Sequence, residues 1–224
     1  MSKWLAAVTL VLLLPVVGSA QFRQAPPVQR SAGFGIDLPG WWARIDDPRA
    51  NRAALKLAPE GSAIHATTGP AAIFWDPQQT ASGEYTVTAK FTIDRMPKFE
   101  EGYGLFIGGK NLDKDDERFT ALLIHEDGSY AIRQRRGQPV PDNQIVWSLD
   151  PALSRPDKSD HETNELQIRV SKDEVSFVVN GREIARRPAA SVDTDGIVGL
   201  RIANNLDVHV DGFTIEKGGQ ATRR

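Results

Sequence analysis

The stretch Glu84-Tyr85-Thr86-Val87-Thr88-Ala89-Lys90-Phe91-Thr92-Ile93 decides the fold. Tyr85, Val87, Ala89, Phe91 and Ile93 alternate with Glu84, Thr86, Thr88, Lys90 and Thr92. A period of two sends successive side chains to opposite faces of an extended chain, so this is a half-buried strand with one dry and one wet face. Asn164–Val170 repeats the pattern through Leu166, Ile168 and Val170, and Leu206–Val210 through Leu206, Val208 and Val210. Further strand candidates are Ala53–Leu57, Ala63–Thr67, Ala71–Trp75, Gly104–Gly108, Ile145–Leu149 and Ile197–Ile202.

Turn chemistry separates these runs. Asp127-Gly128 lies between Ala121–Glu126 and Tyr130–Gln134, and Asn180-Gly181 between Glu174–Val179 and Arg182–Ala185. Both dipeptides accept positive φ at low cost and predict two-residue hairpin turns. No segment longer than about ten residues carries a 3.6-residue apolar stripe with caps; Pro151–Ser154 suits one helical turn capped by Asp150. Many short strands joined by turns, without helices to cover parallel crossovers, predict an all-β, two-sheet antiparallel jelly-roll sandwich. An immunoglobulin-type sandwich is the other candidate, but it needs fewer strands.

The chain opens Met1-Ser2-Lys3 and continues with an apolar run from Trp4 to Val17 ahead of Gly18-Ser19-Ala20. One positive charge, a short apolar core and small residues before Gln21 form a secretory signal peptide with cleavage after Ala20. Pro15 and the shortness of the run count against a membrane anchor. The expected organisation is a signal peptide over 1–20, a flexible lead-in over 21–38, one β-sandwich domain over 39–217 and a tail over 218–224. The mature protein is expected in the periplasm or outside the cell and is not expected to span a membrane.

Composition narrows the partners. The 224 residues hold 27 Lys+Arg against 29 Asp+Glu, a net charge of −2, so no positive field is available to displace the counterions of a nucleic acid. Cysteine is absent, which excludes disulfides, thiolate metal sites and a cysteine nucleophile.

Several phrases resemble those of secreted bacterial proteins with a concanavalin A-like lectin/glucanase fold, among them laminin-G-like domains and the 3-keto-disaccharide hydrolase domain family. They are Thr68–Trp75, Ala81–Phe91, Tyr103–Gly109, Phe177–Gly181 and Thr194–Ile202 running into Asn205–Phe213. The resemblance implies a two-sheet jelly roll whose last strand is Leu206–Ile215. It bears on fold more than on activity, because one fold hosts many functions.

The residues that could carry chemistry are few. Sugar-cleaving jelly rolls of the laminarinase type place Glu-x-Asp-x-Glu on one strand, and that motif is absent; the nearest spacing is Asp113-Lys114-Asp115-Asp116-Glu117, in a run polar enough to be a solvated loop. The same loop offers Asn111, Asp113, Asp115 and Glu117 to a hard cation, which makes calcium the one cofactor the sequence suggests. Asp207, His209 and Asp211 share one face of a strand and could hold a divalent ion, although i, i+2 side chains lie about 7 Å apart and the face could equally be a charged, wet one. His65 has no second ligand near it in sequence, His161 sits in a polar loop, and His125 ends a strand at a rim. Sugars are bound by aromatic faces together with planar hydrogen-bonding groups. Trp42, Tyr103, His125, Arg133, Arg135 and Trp147 are the candidate ligand-binding residues, with Arg133 and Arg135 on one strand face as a platform for a carboxylate or sugar hydroxyls. Trp75, continuing Ala72-Ile73-Phe74, reads as a packing residue.

Three functional classes remain. The export signal, the lectin-like phrases and the lack of a catalytic carboxylate motif favour a module that binds a glycan or envelope polysaccharide without catalysis. A hydrolase or lyase of the 3-keto-disaccharide type, using His125 or His209 with carboxylates such as Glu100 or Glu101, is the alternative. A structural interaction domain of the envelope is the third.

Overall fold

A computed structural model of the chain describes residues 28–30, 35–93, 102–137, 142–156 and 161–218. The signal peptide, Glu100, Glu101 and the tail beyond Gly218 lie outside the described residues. The strands, in chain order, are β1 (Val28–Arg30), β2 (Trp42–Ile45), β3 (Lys56–Glu60), β4 (Ala63–Thr67), β5 (Ala72–Ala81), β6 (Tyr85–Ile93), β7 (Tyr103–Lys110) and β8 (Arg118–Ile124). They continue with β9 (Ser129–Arg136), β10 (Asp142–Leu149), β11 (Glu162–Val170), β12 (Glu174–Val179), β13 (Arg182–Pro188), β14 (Gly196–Ile202) and β15 (Asp207–Lys217). They form an all-β, two-sheet antiparallel sandwich of jelly-roll type. One sheet has eight strands in the order β1-β2-β5-β14-β7-β8-β9-β10, and the other has seven in the order β13-β12-β11-β6-β15-β4-β3.

The alternation read from residues 84–93 places β6 within the seven-stranded sheet, between β11 and β15. Tyr85, Val87, Ala89, Phe91 and Ile93 are all buried there against the opposite sheet. Each large apolar side chain so buried contributes about 1.5–3 kcal/mol through removal of its surface from water. Within residues 21–38, β1 pairs with β2, and Ile36 is buried where it bridges Leu57.

Turn types divide the two hairpins. Val179 pairs with Arg182, and Asn180 and Gly181 take φ of 50° and 79°, a two-residue turn as the dipeptide predicts. At Asp127-Gly128 the loop is one residue longer, because His125 N–H already donates to Ser129 O at 2.9 Å and leaves Glu126, Asp127 and Gly128 to turn the chain. Pro151–Ser154 makes a turn rather than a helix, with Asp150 Oδ1 accepting from Ala152 N–H at 2.8 Å.

A polar network interrupts the core. Tyr103 is fully buried, and its hydroxyl donates to Glu162 Oε1 at 2.7 Å; Asn164 Nδ2 donates to the same oxygen at 2.7 Å. Burial pushes the Glu162 carboxyl up to about 7. Between its ordinary value of 4.5 and about 7 the folded chain holds a proton that the unfolded chain has released, so stability falls as pH rises through that window. Glu162→Gln keeps the accepting oxygen without the charge. It should match wild type near pH 4.5 and exceed it at pH 8 by up to about 3 kcal/mol, measured by urea unfolding at both pH values.

Candidate functional site

The eight-stranded sheet is apolar on both faces. Its inward residues, such as Phe74, Leu105, Leu122, Ile132 and Leu200, join the inter-sheet core. Alternate residues of the same strands, Ile73, Trp75, Phe106, Phe119, Ala121 and Leu123, build a second cluster on the outer face with Leu112 of the β7–β8 loop, and Trp42, Trp147 and Ile197 pack against it. Trp75 is thus a packing residue, as its sequence context indicates, but on the outer face, where Trp42 tilts against it at 6.1 Å between ring centres.

A cavity of about 500 Å³ opens on this outer face. Small residues lower its floor. Ala71, Ala121 and Gly102 line it, and one register row runs Trp75, Gly199, Phe106, Ala121, Arg133 across five strands. A Cβ on Gly199 would lie 2.3 Å from Phe74 O and 2.6 Å from the Phe106 ring, so only glycine lets that ring lie over the strand.

Charged groups frame the cavity. Glu117, just ahead of β8, accepts from Arg135 Nε at 2.8 Å through Oε1 and from Arg44 Nη1 at 2.9 Å through Oε2. Arg44 also donates to the carbonyls of Leu112 and Lys114, so the 111–117 loop is pinned to the outer face. On another wall Arg201 holds Asp46 in a bidentate pair, Nη1 to Oδ1 at 2.8 Å. Arg133 differs. Its Nε is buried with no hydrogen-bond partner among the described residues, and its Cζ lies 5.0 Å from the centre of the Trp147 ring. Burial and then the like charge of Arg201 lower its pKa, a sign of a guanidinium short of counter-charge.

Trp147 reaches this wall from the edge strand β10. The His125 ring stacks on it at 3.4 Å between centres, and the neighbouring backbone at Gly102 is so close that a Cβ there would meet Trp147 at 3.0 Å. Burial pushes His125 down to about 4, so the imidazole is neutral around pH 7.

Of the residues singled out by sequence, His125, Arg133, Arg135 and Trp147 line one cavity. Trp42 packs on the outer-face cluster without lining it. Tyr103 is a correction: strand parity turns it inward with Leu105 and Ile107, and it is sealed in the core. The calcium reading of the 111–117 loop also changes, because both Glu117 oxygens are held by arginines and Asn111 Nδ2 donates to Asp116 at 2.7 Å. Asp207, His209 and Asp211 do not act as one trio. His209 faces His65 and Glu60, Asp207 hydrogen-bonds His65, and Asp211 stands opposite Lys90.

Sequence reasoning missed Arg44, Asp46, Arg201 and Asn204, which join the site only through strand pairing. The apolar runs Ile73-Phe74-Trp75 and Leu105-Phe106-Ile107 carried a signal for it, since a strand apolar at every position is covered on both faces.

The sandwich is similar in fold to solved structures of several kinds. It superimposes on the carbohydrate-binding module CBM66 from Bacillus subtilis with a TM-score of 0.59 and 11% identity, covering 83% of this chain and 100% of that one. A Bacillus subtilis protein of unknown function with a galectin-like fold gives 0.57 and 18%, over 79% of this chain and 89% of that one. The endo-β-1,3-glucanase from Pyrococcus furiosus gives 0.51 and 9%, over 71% and 76%. At such identities the likeness concerns the fold. No protein-family model matches the chain, and no curated protein sequence matches it significantly. No helix among the described residues is long and apolar enough to cross a membrane.

Proposed function

We propose that this chain is an exported glycan-binding module of concanavalin A-like type, acting in the periplasm or outside the cell through the outer-face cavity. The observation that carries the reading is Arg133: a half-buried guanidinium whose buried Nε has no hydrogen-bond partner among the described residues, held against Trp147 at the wall of an apolar-floored cavity. A sugar hydroxyl or carboxylate entering there supplies the missing acceptor while the aromatic wall meets the sugar's C–H surface. The similarity of fold to a carbohydrate-binding module supports the class of ligand.

The lack of catalysis in this reading rests on the carboxylates. Asp46 and Glu117, the carboxylates that line the cavity, are each already held by arginine side chains. The hydrolase or lyase alternative rests on His125, neutral and at the cavity, as a base.

A glycan array with the mature protein, run with and without calcium, tests the proposal. Binding of one glycan class is expected, weakened about 10-fold or more in Arg133→Ala through loss of a charge-assisted hydrogen bond. Binding to no glycan would remove the proposal. Turnover of 3-keto or ordinary oligosaccharides, lost in His125→Ala, would replace it with the enzyme.

A further inference from the structure

We infer that the outer face of the seven-stranded sheet carries a transition-metal site formed by Glu60, His65 and His209. Three strands build it. His65 on β4 stands directly opposite His209 on β15, and Glu60 ends β3, which pairs with β4. The two imidazoles stack with ring centres 4.4 Å apart and planes 7° apart, so both present Nδ1 toward the same carboxylate. Glu60 Oε2 lies 2.6 Å from His209 Nδ1 and 3.9 Å from His65 Nδ1, and the three donor atoms all fall within 4.8 Å of one another. An ion about 2.1 Å from each of three donors in tetrahedral geometry sets them about 3.4 Å apart, a value the two separations from Glu60 bracket.

Asp207 supplies the second, independent observation. It hydrogen-bonds Nε2 of His65 and accepts from Thr67 Oγ1 at 3.3 Å. A carboxylate on Nε2–H leaves the lone pair on Nδ1, the atom that faces Glu60 and His209. This carboxylate–imidazole arrangement fixes the tautomer and the ring orientation at metal-bound histidines. Two imidazoles and one carboxylate select zinc, cobalt, nickel or copper over calcium or magnesium, which prefer oxygen donors alone. Glu60 is exposed and the two histidines are half-buried, and three protein ligands leave coordination positions open to water or to an incoming group.

The pattern escapes sequence reading because His65 and His209 meet only through the pairing of β4 with β15. Asp207 and His209 share a face on β15, but the strand opposite, rather than the next alternate residue, completes the set.

The test is calorimetric titration of the purified, untagged protein with Zn²⁺ and Ni²⁺, paired with the absorption spectrum of the Co²⁺ form. One ion per chain is expected, at micromolar affinity or tighter, with a rise in Tm on saturation. His65→Ala and His209→Ala should each weaken binding about 100-fold, and Asp207→Asn about 10-fold or more through loss of orientation. His161→Ala should leave it unchanged. Circular dichroism should show all variants folded, and glycan binding, which uses the other sheet, should be unaffected. No saturable uptake at about 1 mM Zn²⁺ or Ni²⁺, or full uptake by the His65→Ala/His209→Ala double variant, overturns the site.

Discussion

Replacing Trp147 by alanine should lower affinity for the proposed glycan ligand about 100-fold, close to 3 kcal/mol, while the protein still folds. Three contacts meet at this one side chain. The His125 ring lies against it, Arg133 sits 5.0 Å from its centre, and its apolar body packs on the outer-face cluster. Removing it takes away the wall and also frees the two side chains that it orders. Trp147 is only half-buried, and its strand is an edge of the sheet, so the stability lost should be below the 3–5 kcal/mol typical of a fully buried tryptophan. Trp147→Phe should retain most of the affinity. Direct measurement of Kd for wild type and both variants decides the matter, and an unchanged Kd in Trp147→Ala would place the ligand elsewhere.

Glu117→Ala is expected to be the most destabilising change at the cavity, at about 3–5 kcal/mol. The carboxylate is buried between Arg44 and Arg135 and accepts from both. Without it the two guanidiniums lose the carboxylate they share, Arg44 keeping only the exposed Asp115 at 3.8 Å beside it, and the 111–117 loop loses one of the groups through which Arg44 holds it. The buried setting means that added salt should recover little of the loss. Guanidinium chloride would itself screen the charges, so urea denaturation is the suitable measurement, with a lower midpoint and an unchanged slope. A loss under about 1 kcal/mol would mean that the pair is solvated and structurally idle.

Local pattern and local turn chemistry carried the fold. The alternation in residues 84–93 placed every core residue of β6 correctly, and Asn180-Gly181 gave the turn its backbone preferences demand. Parity also failed where it needed an anchor: Tyr103 looked available on aromatic character alone, yet its neighbours Leu105 and Ile107 assign it to the dry side. The site was legible in part. Arg133 and Arg135 share a face by simple alternation, and Trp147 and His125 were recognisable as candidates by type. Their convergence with Arg44, Glu117 and Arg201 depends on which strands become neighbours. No one-dimensional period reports that, and the same blindness separated His65 from His209.

The strand orders have a consequence for how the chain reaches this structure. β14 and β15, the last two strands described, each sit inside a sheet: β14 between β5 and β7, and β15 between β6 and β4. Neither sheet can close until residues 196–217 arrive, and the contacts that close them span most of the sequence. Such non-local pairing makes folding slow, because loop closure must precede the contacts that reward it. A nascent chain short of β14 therefore has two incomplete sheets and no stable product to fall into. For a protein proposed to be exported, this topology itself delays folding until residues 196–217 have been made.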